Sequence, residues 1–212
     1  MNNSPQEYLA FANKLADVAG TTSMEYFRTS LSIDSKSDES PVTIADQNTE
    51  LKIRSMIEKE YPNHGILGEE FESVNPDAEF IWVIDPIDGT RSYIAGHKDF
   101  GNLISLTQNK KPIIGIINCP AHDERWVGVI NQKSTVNQKI VKTSNVTEIE
   151  DAYIFTSGLY FDEPQLRNAV DKIKNKVRYF RYGGDCYMYG MVASGLIDIV
   201  IEDTLKAHDY MA

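Results

Sequence analysis

The segment Ile81-Trp82-Val83-Ile84-Asp85-Pro86-Ile87-Asp88-Gly89-Thr90 carries the residue types and spacing best suited to chemistry. An apolar run leads into two carboxylates that flank a proline. Proline pre-sets the turn, so Asp85 and Asp88 can face one point, with the Ile87 carbonyl between them as a third hard oxygen. Hard oxygens clustered this way suit Mg²⁺ rather than zinc. Just beyond, the N–H groups of Gly89 and Thr90 and the Thr90 hydroxyl would point outward from a helix that starts there, forming a seat for phosphate. Asp-Pro and Asp-Gly are also common turn formers that need bind nothing, and turn chemistry explains each dipeptide separately. A second acidic pair, Glu69-Glu70, follows Gly68 and the apolar Ile66-Leu67, which presents a carboxylate at the end of a candidate strand. A solvated pair on a loop is its alternative reading.

These groups need elements to position them. Ser4, Pro5 and Glu7 read as N-cap, first helical residue and capping-box partner, and Tyr8, Ala12, Leu15 and Ala19 recur at helical spacing. Leu31 to Pro41, rich in Ser and Asp, reads as a loop. Thr43 then caps a second helix carrying Ile53, Met56, Ile57 and Tyr61, which Pro62 ends. Phe80 to Ile84, Leu103 to Leu106, Ile113 to Ile117, Trp126 to Ile130 and Ile140 to Val141 read as strands, with the acidic turn closing the first. After Asp151 the pattern alternates: strand at 153–155, helix at 164–174, strand at 177–180, helix at 185–193 and strand at 197–201. The order predicts a layered α/β fold, with a division near residue 140 into segments 1–140 and 141–212.

Gly68-Glu69-Glu70, the Asp85 to Thr90 motif and a late Asp209 occur in the order used by the inositol monophosphatase family, which the chain resembles over nearly its whole length. The resemblance implies an α-β-α-β-α sandwich of the inositol monophosphatase/fructose-bisphosphatase type, and two or three Mg²⁺ ions held by Glu69, Asp85, the Ile87 carbonyl, Asp88 and Asp209. It implies hydrolysis of a small phosphate monoester by a metal-activated water, with Asp46 and Thr90 positioning that water, Glu69 assisting, and Asp88, Gly89 and Thr90 holding phosphate. Family members continue well past the last acidic position, so the chain, with three residues after Asp209, is expected to lack C-terminal elements. Where the family commonly has Trp before that Asp, this chain has His208.

Thr90-Arg91-Ser92-Tyr93-Ile94-Ala95-Gly96 resembles the histidinol-phosphate phosphatase branch more than the inositol or nucleotide branches. Arg181 to Tyr187 and the Glu202 to Asp209 stretch agree with it. Asp185 and Glu202 would add negative charge beside a phosphate site, which makes sense for a substrate bearing an ammonium group, since hydrogen bonds to carboxylates are then charge-assisted. Asp185 acting as a helix cap, or Glu202 binding polyol hydroxyls, is the alternative. Arg91 is a further candidate substrate contact, and Tyr93 and Tyr187 could line the pocket. Other substrates within the class are inositol-1-phosphate and 3′-phosphoadenosine 5′-phosphate. A reading of another class is a non-catalytic binding or dimerising subunit.

Composition narrows the partners. With 21 Lys and Arg against 31 Asp and Glu, the net charge of −10 repels nucleic-acid polymers and acidic membrane surfaces, while bound cations could still draw in an anionic substrate. No apolar run is long enough to span a membrane, and the N-terminus does not read as a signal peptide, so the expected location is cytoplasmic. Cys119 and Cys186 read as reduced structural thiols. His64, His97, His122 and His208 lack metal-ligand spacing and read as surface or packing residues, with His208 set apart only by adjoining Asp209. A homodimer is an expectation from the resemblance alone.

Overall fold

The computed structural model describes residues 5–29, 33–35, 41–158, 161 and 163–212. Ser4, the expected cap, lies outside them, as does the Thr43 side chain. Helix α1 (Pro5–Tyr26) buries Tyr8, Phe11, Ala12, Leu15, Ala16 and Ala19 along one face, the stripe that spacings of three and four produce. Within the stretch whose composition predicts a loop, β1 (Ile33–Ser35) pairs antiparallel with β2 (Pro41–Thr43). Helix α2 (Ile44–Glu60) follows and brings Ile53 and Ile57 into the same core cluster as α1. Tyr61 N–H still reaches the Ile57 carbonyl at 2.7 Å before Pro62 withholds the next donor.

A large sheet follows, built from β3 (Gly65–Gly68), β4 (Phe80–Asp88), β5 (Gly101–Gln108), β6 (Lys111–Cys119), β7 (Glu124–Val129), β8 (Thr135–Val136) and β9 (Lys139–Ile140) in that spatial order. Strand β3 runs parallel to β4 and every later pairing is antiparallel. Asn109 and Lys110 both have positive φ, 50° and 64°, as the two-residue hairpin between β5 and β6 requires. Trp82 and Ile84 on β4 pack with Ile104 and Leu106 on β5 and with α1 and α2. Burying each such side chain contributes roughly 1.5–3 kcal/mol.

Helix α3 (Thr90–Ile94) interrupts the sheet after β4. Beyond residue 152 come β10 (Tyr153–Thr156), α4 (Pro164–Lys174), β11 (Tyr179–Tyr182), α5 (Tyr187–Ala193), β12 (Ile199–Val200) and α6 (Ala207–Tyr210). Strand β10 lies between β11 and β12, parallel to both, with helices serving as the crossovers that parallel pairing needs. This is the mixed α/β sandwich expected.

One feature of the acidic motif differs from its sequence reading. The strand does not end at Ile84 in a turn; β4 continues through Asp88, with the pairing slipping from Asp85↔Leu103 to Asp88↔Gly101. Three steps on β4 oppose two on β5, which is a bulge. Pro86 has no N–H to give a ladder, and an irregular step is where a sheet tolerates it. The bulge re-aims the carboxylates without leaving the sheet.

Candidate active site

The acidic groups sit at or just beyond strand ends. Glu69 follows β3, Asp85 and Asp88 lie in the bulged end of β4, Asp185 follows β11 and Glu202 follows β12. Asp209 comes from α6, where its Oδ2 accepts the Lys206 N–H at 2.6 Å, so the short helix orients this carboxylate by a bond to its own N-terminus.

The Glu69 loop is held from below by α2. Glu50, fully buried, accepts the Glu70 N–H at 2.8 Å through one oxygen and Arg54 Nε at 2.7 Å through the other. Arg54 then donates to the carbonyls of Phe71 and Glu72 at 2.9 and 3.0 Å. Gly68 is required there, because a Cβ would lie 2.0 Å from a Glu50 oxygen. The Asp85 to Asp88 bulge is held in a similar way. Asn102 on β5 donates to the Pro86 carbonyl at 2.6 Å, Asn118 on β6 donates to Asn102 at 2.8 Å, and Arg125 on β7 donates to Asn118 at 2.9 Å.

Ligand atoms of Asp85, Asp88 and Asp209 lie within 4.8 Å of one another, and so do those of Glu69, Asp85 and His208. Asp85 belongs to both groups. Burial first, then Asp88, Glu69, Asp209 and Asp46, push the Asp85 carboxyl well above the usual range. Burial and the neighbouring Asp185 raise Asp88 to about 7, against the Cys186 N–H that its Oδ2 accepts at 2.6 Å. Among the described residues, the buried Asp85 Oδ1 has no hydrogen-bond partner. An orphaned carboxylate oxygen among other carboxylates is costly unless a cation completes it. The donor set therefore fits a hard divalent cation.

Asp46 is buried close enough to raise Asp85. The Thr90 hydroxyl donates to the Ile87 carbonyl at 3.1 Å, and Gly89 adopts φ 80° immediately before α3. Asp185 crosses directly over Gly89, where a Cβ would meet its side chain at 2.9 Å, and accepts the Ser92 hydroxyl at 2.5 Å. It does not cap a helix: α5 begins at Tyr187, later than the expected start, and has no side-chain cap bond. Glu202 accepts the Ser157 N–H at 2.7 Å and the Tyr189 hydroxyl at 3.2 Å, and lies near enough to help raise Asp185. Arg91 is exposed at the start of α3. Tyr93 does not line a pocket; it is buried and donates to the Ser23 carbonyl at 2.6 Å. Tyr187 stacks on His122 and donates to Glu124.

His64 packs in an aromatic stack and accepts the Trp82 N–H, and His122 binds Asp99. His208 is buried, as a packing residue would be, with a ring nitrogen within 4.8 Å of carboxylate oxygens of Glu69 and Asp85. Cys119 and Cys186 are both free and buried. The Cys186 thiol is pushed well up, first by its hydrogen bond with Cys119, which favours the protonated thiol over the thiolate.

Glu50, Arg54 and Asn102 lie outside the acidic motifs of the sequence. A signal exists for the first two: Glu50 and Arg54 are an acid–base pair four apart in line with the buried Ile53 and Ile57, where a solvated face would not place charge. Asn102 carries no local mark beyond being polar beside an apolar run.

The inositol monophosphatase family matches residues 4–212. The chloroplastic bifunctional phosphatase IMPL2 of Arabidopsis thaliana is 38% identical across 100% of this chain, which spans 64% of that protein's length. A histidinol-phosphatase of Chlorobaculum parvum is 35% identical over 96% of this chain and 80% of its own. An inositol monophosphatase structure from Zymomonas mobilis superposes with a TM-score of 0.89 at 40% identity, covering 100% of this chain and 82% of that one. With the match running from the first helix to the last, and with Asp85 of the bulged strand shared between one group that includes Glu69 and another that includes Asp88 and Asp209, the chain belongs to the inositol monophosphatase family.

Proposed function

We propose that the chain hydrolyses a small phosphate monoester, with L-histidinol phosphate as the preferred substrate, yielding L-histidinol and phosphate. Mg²⁺ would be held by Glu69, Asp85, the Ile87 carbonyl, Asp88 and Asp209, and when bound would supply Lewis-acid stabilisation of charge on the phosphate and on the departing oxygen. The residues divide the remaining work. Gly89 and Thr90 seat the phosphate, while Asp46 and Thr90 orient a water in line with the ester bond. Glu69 accepts the proton as the water oxygen bonds to phosphorus and the phosphorus–ester oxygen bond breaks. The leaving alkoxide takes a proton from solvent.

The observation that carries the choice of substrate is the position of Asp185 over Gly89, with Glu202 nearby. Burial, Asp99 and Glu202 raise the Asp185 carboxyl against the Ser92 bond, so an ammonium group placed there would relieve a standing electrostatic cost. The histidinol-phosphatase of Chlorobaculum parvum supports the same substrate. The Zymomonas inositol monophosphatase favours a second reading, in which Glu202 binds polyol hydroxyls.

The test is phosphate release with and without Mg²⁺ from histidinol phosphate, inositol monophosphate and 3′-phosphoadenosine 5′-phosphate. A Mg²⁺-dependent preference for histidinol phosphate is expected. Faster release from inositol monophosphate would overturn the substrate choice, and no Mg²⁺-dependent release from any of the three would overturn the phosphatase reading itself.

A further inference from the structure

The two ligand groups at the site differ in chemistry. Asp85, Asp88 and Asp209 offer only oxygen, whereas Glu69 and Asp85 are joined by the ring nitrogen of His208, all within 4.8 Å of one another. His208 is 8% exposed and is carried on α6 beside Asp209. Its Nε2 stands 3.5 Å from Asp209 Oδ1, which links the imidazole to the second ligand group as well. The buried Asp85 Oδ1, with no hydrogen-bond partner among the described residues, belongs to the carboxylate that the two groups share.

We propose that His208 is a nitrogen ligand for a divalent cation, completing with Glu69 and Asp85 a mixed nitrogen–oxygen site beside the all-oxygen site of Asp85, Asp88 and Asp209. Imidazole nitrogen favours later divalent metals, and affinity at such a site rises from Mn²⁺ through Co²⁺, while carboxylate-only sites suit Mg²⁺. The chain is thus built to hold two unlike cations that share one carboxylate. His208 sets which metals the Glu69 side accepts. The inference rests on reading the acidic cluster as a cation centre.

The probe is Mn²⁺ alone, added to the metal-free full chain, with pulsed electron paramagnetic resonance reading nitrogen coupling to the bound ion. Wild type should show imidazole nitrogen coupling that His208→Gln abolishes. In calorimetry, Co²⁺ affinity at the nitrogen-bearing site should fall in that variant by at least the roughly 10- to 100-fold that losing even an outer-shell partner of a ligand costs, with Mg²⁺ affinity changed by less than about threefold, as expected of a site built from carboxylates. Bound Mn²⁺ without nitrogen coupling overturns the role of His208 alone; failure of both Mn²⁺ and Mg²⁺ to bind overturns the cation centre as well. Should His208→Gln not fold, the His97→Gln/His122→Gln chain decides, because the remaining His64 is held in its aromatic stack and accepts the Trp82 N–H: coupling kept there supports the assignment, and coupling lost overturns it.

Discussion

The carboxylate cluster makes a quantitative prediction about stability without metal. Asp88 ordinarily titrates near 3.8 and here is raised to about 7 by burial and by Asp185. A tenfold change in proton affinity is worth about 1.4 kcal/mol, so the folded chain prefers protonated Asp88 by about 4 kcal/mol at most, and by less once solvent at this partly exposed group is allowed for. The raised value means that the folded state binds the proton more tightly than the unfolded one. The stability tied to it is therefore complete below about pH 4, is lost progressively as pH rises toward 7, and stays lost above. Asp85 is shifted in the same direction and adds to the loss. Urea unfolding of the chelator-treated chain should show markedly lower stability at pH 8 than at pH 5. Asp88→Asn keeps an oxygen for the Cys186 N–H but carries no charge, so at pH 8 the metal-free variant should be the more stable by up to about 4 kcal/mol. Saturating Mg²⁺ at a hundred times its dissociation constant should return about 2.7 kcal/mol to wild type and little to the variant. Equal metal-free stability of wild type at the two pH values, or an Asp88→Asn chain no more stable than wild type at pH 8, would refute the reasoning.

Arg54→Met removes the partner of a fully buried Glu50 and should cost about 3–5 kcal/mol in urea unfolding; a loss below 1 kcal/mol would show that Glu50 is compensated some other way. Asn102→Ala leaves the Pro86 carbonyl without its side-chain donor and removes one of the two acceptors of the Asn118 amide, which keeps the Ala16 carbonyl. It should cost about 1–3 kcal/mol and lower phosphate release by displacing the bulge, whereas an unchanged rate would mean that Ile87 and Asp88 hold their places without it. Glu202→Gln should raise KM for histidinol phosphate about tenfold, the loss of one charge-assisted contact, and leave inositol monophosphate nearly unchanged; equal effects on both would remove Glu202 from the recognition of an ammonium group.

The parts of this site that could be read from the chain are those whose chemistry is local. Asp85 through Thr90 is a contiguous run, so its acidic chemistry is visible in the chain even where its backbone path is not. The helical face of α1 and the amphipathic span 164–174 are likewise local patterns, and the α4 bounds agree with the expected ones. Local pattern failed where a neighbour decides. The motif composes like a turn but is kept in the sheet by Leu103 and Gly101 on β5. The Asp185 helix starts later than its glycines imply, and Tyr93, which resembles a pocket residue, is claimed by Ser23 on α1.

Residue types and order along the chain were thus enough to point to the acid-rich chemistry and the layered fold class, because both rest on local runs, and the family followed from the resemblance that Gly68–Glu70, Asp85–Thr90 and Asp209 carry in that order. Only the tertiary structure decided that Asp185 lies over Gly89, that Glu50 and Arg54 brace the Glu69 loop, and that His208 enters the cluster. Those contacts join segments separated by roughly 20 to 140 positions. Their geometry is set by how sheets and helices pack, a long-range balance of burial against chain entropy that no short window of sequence contains.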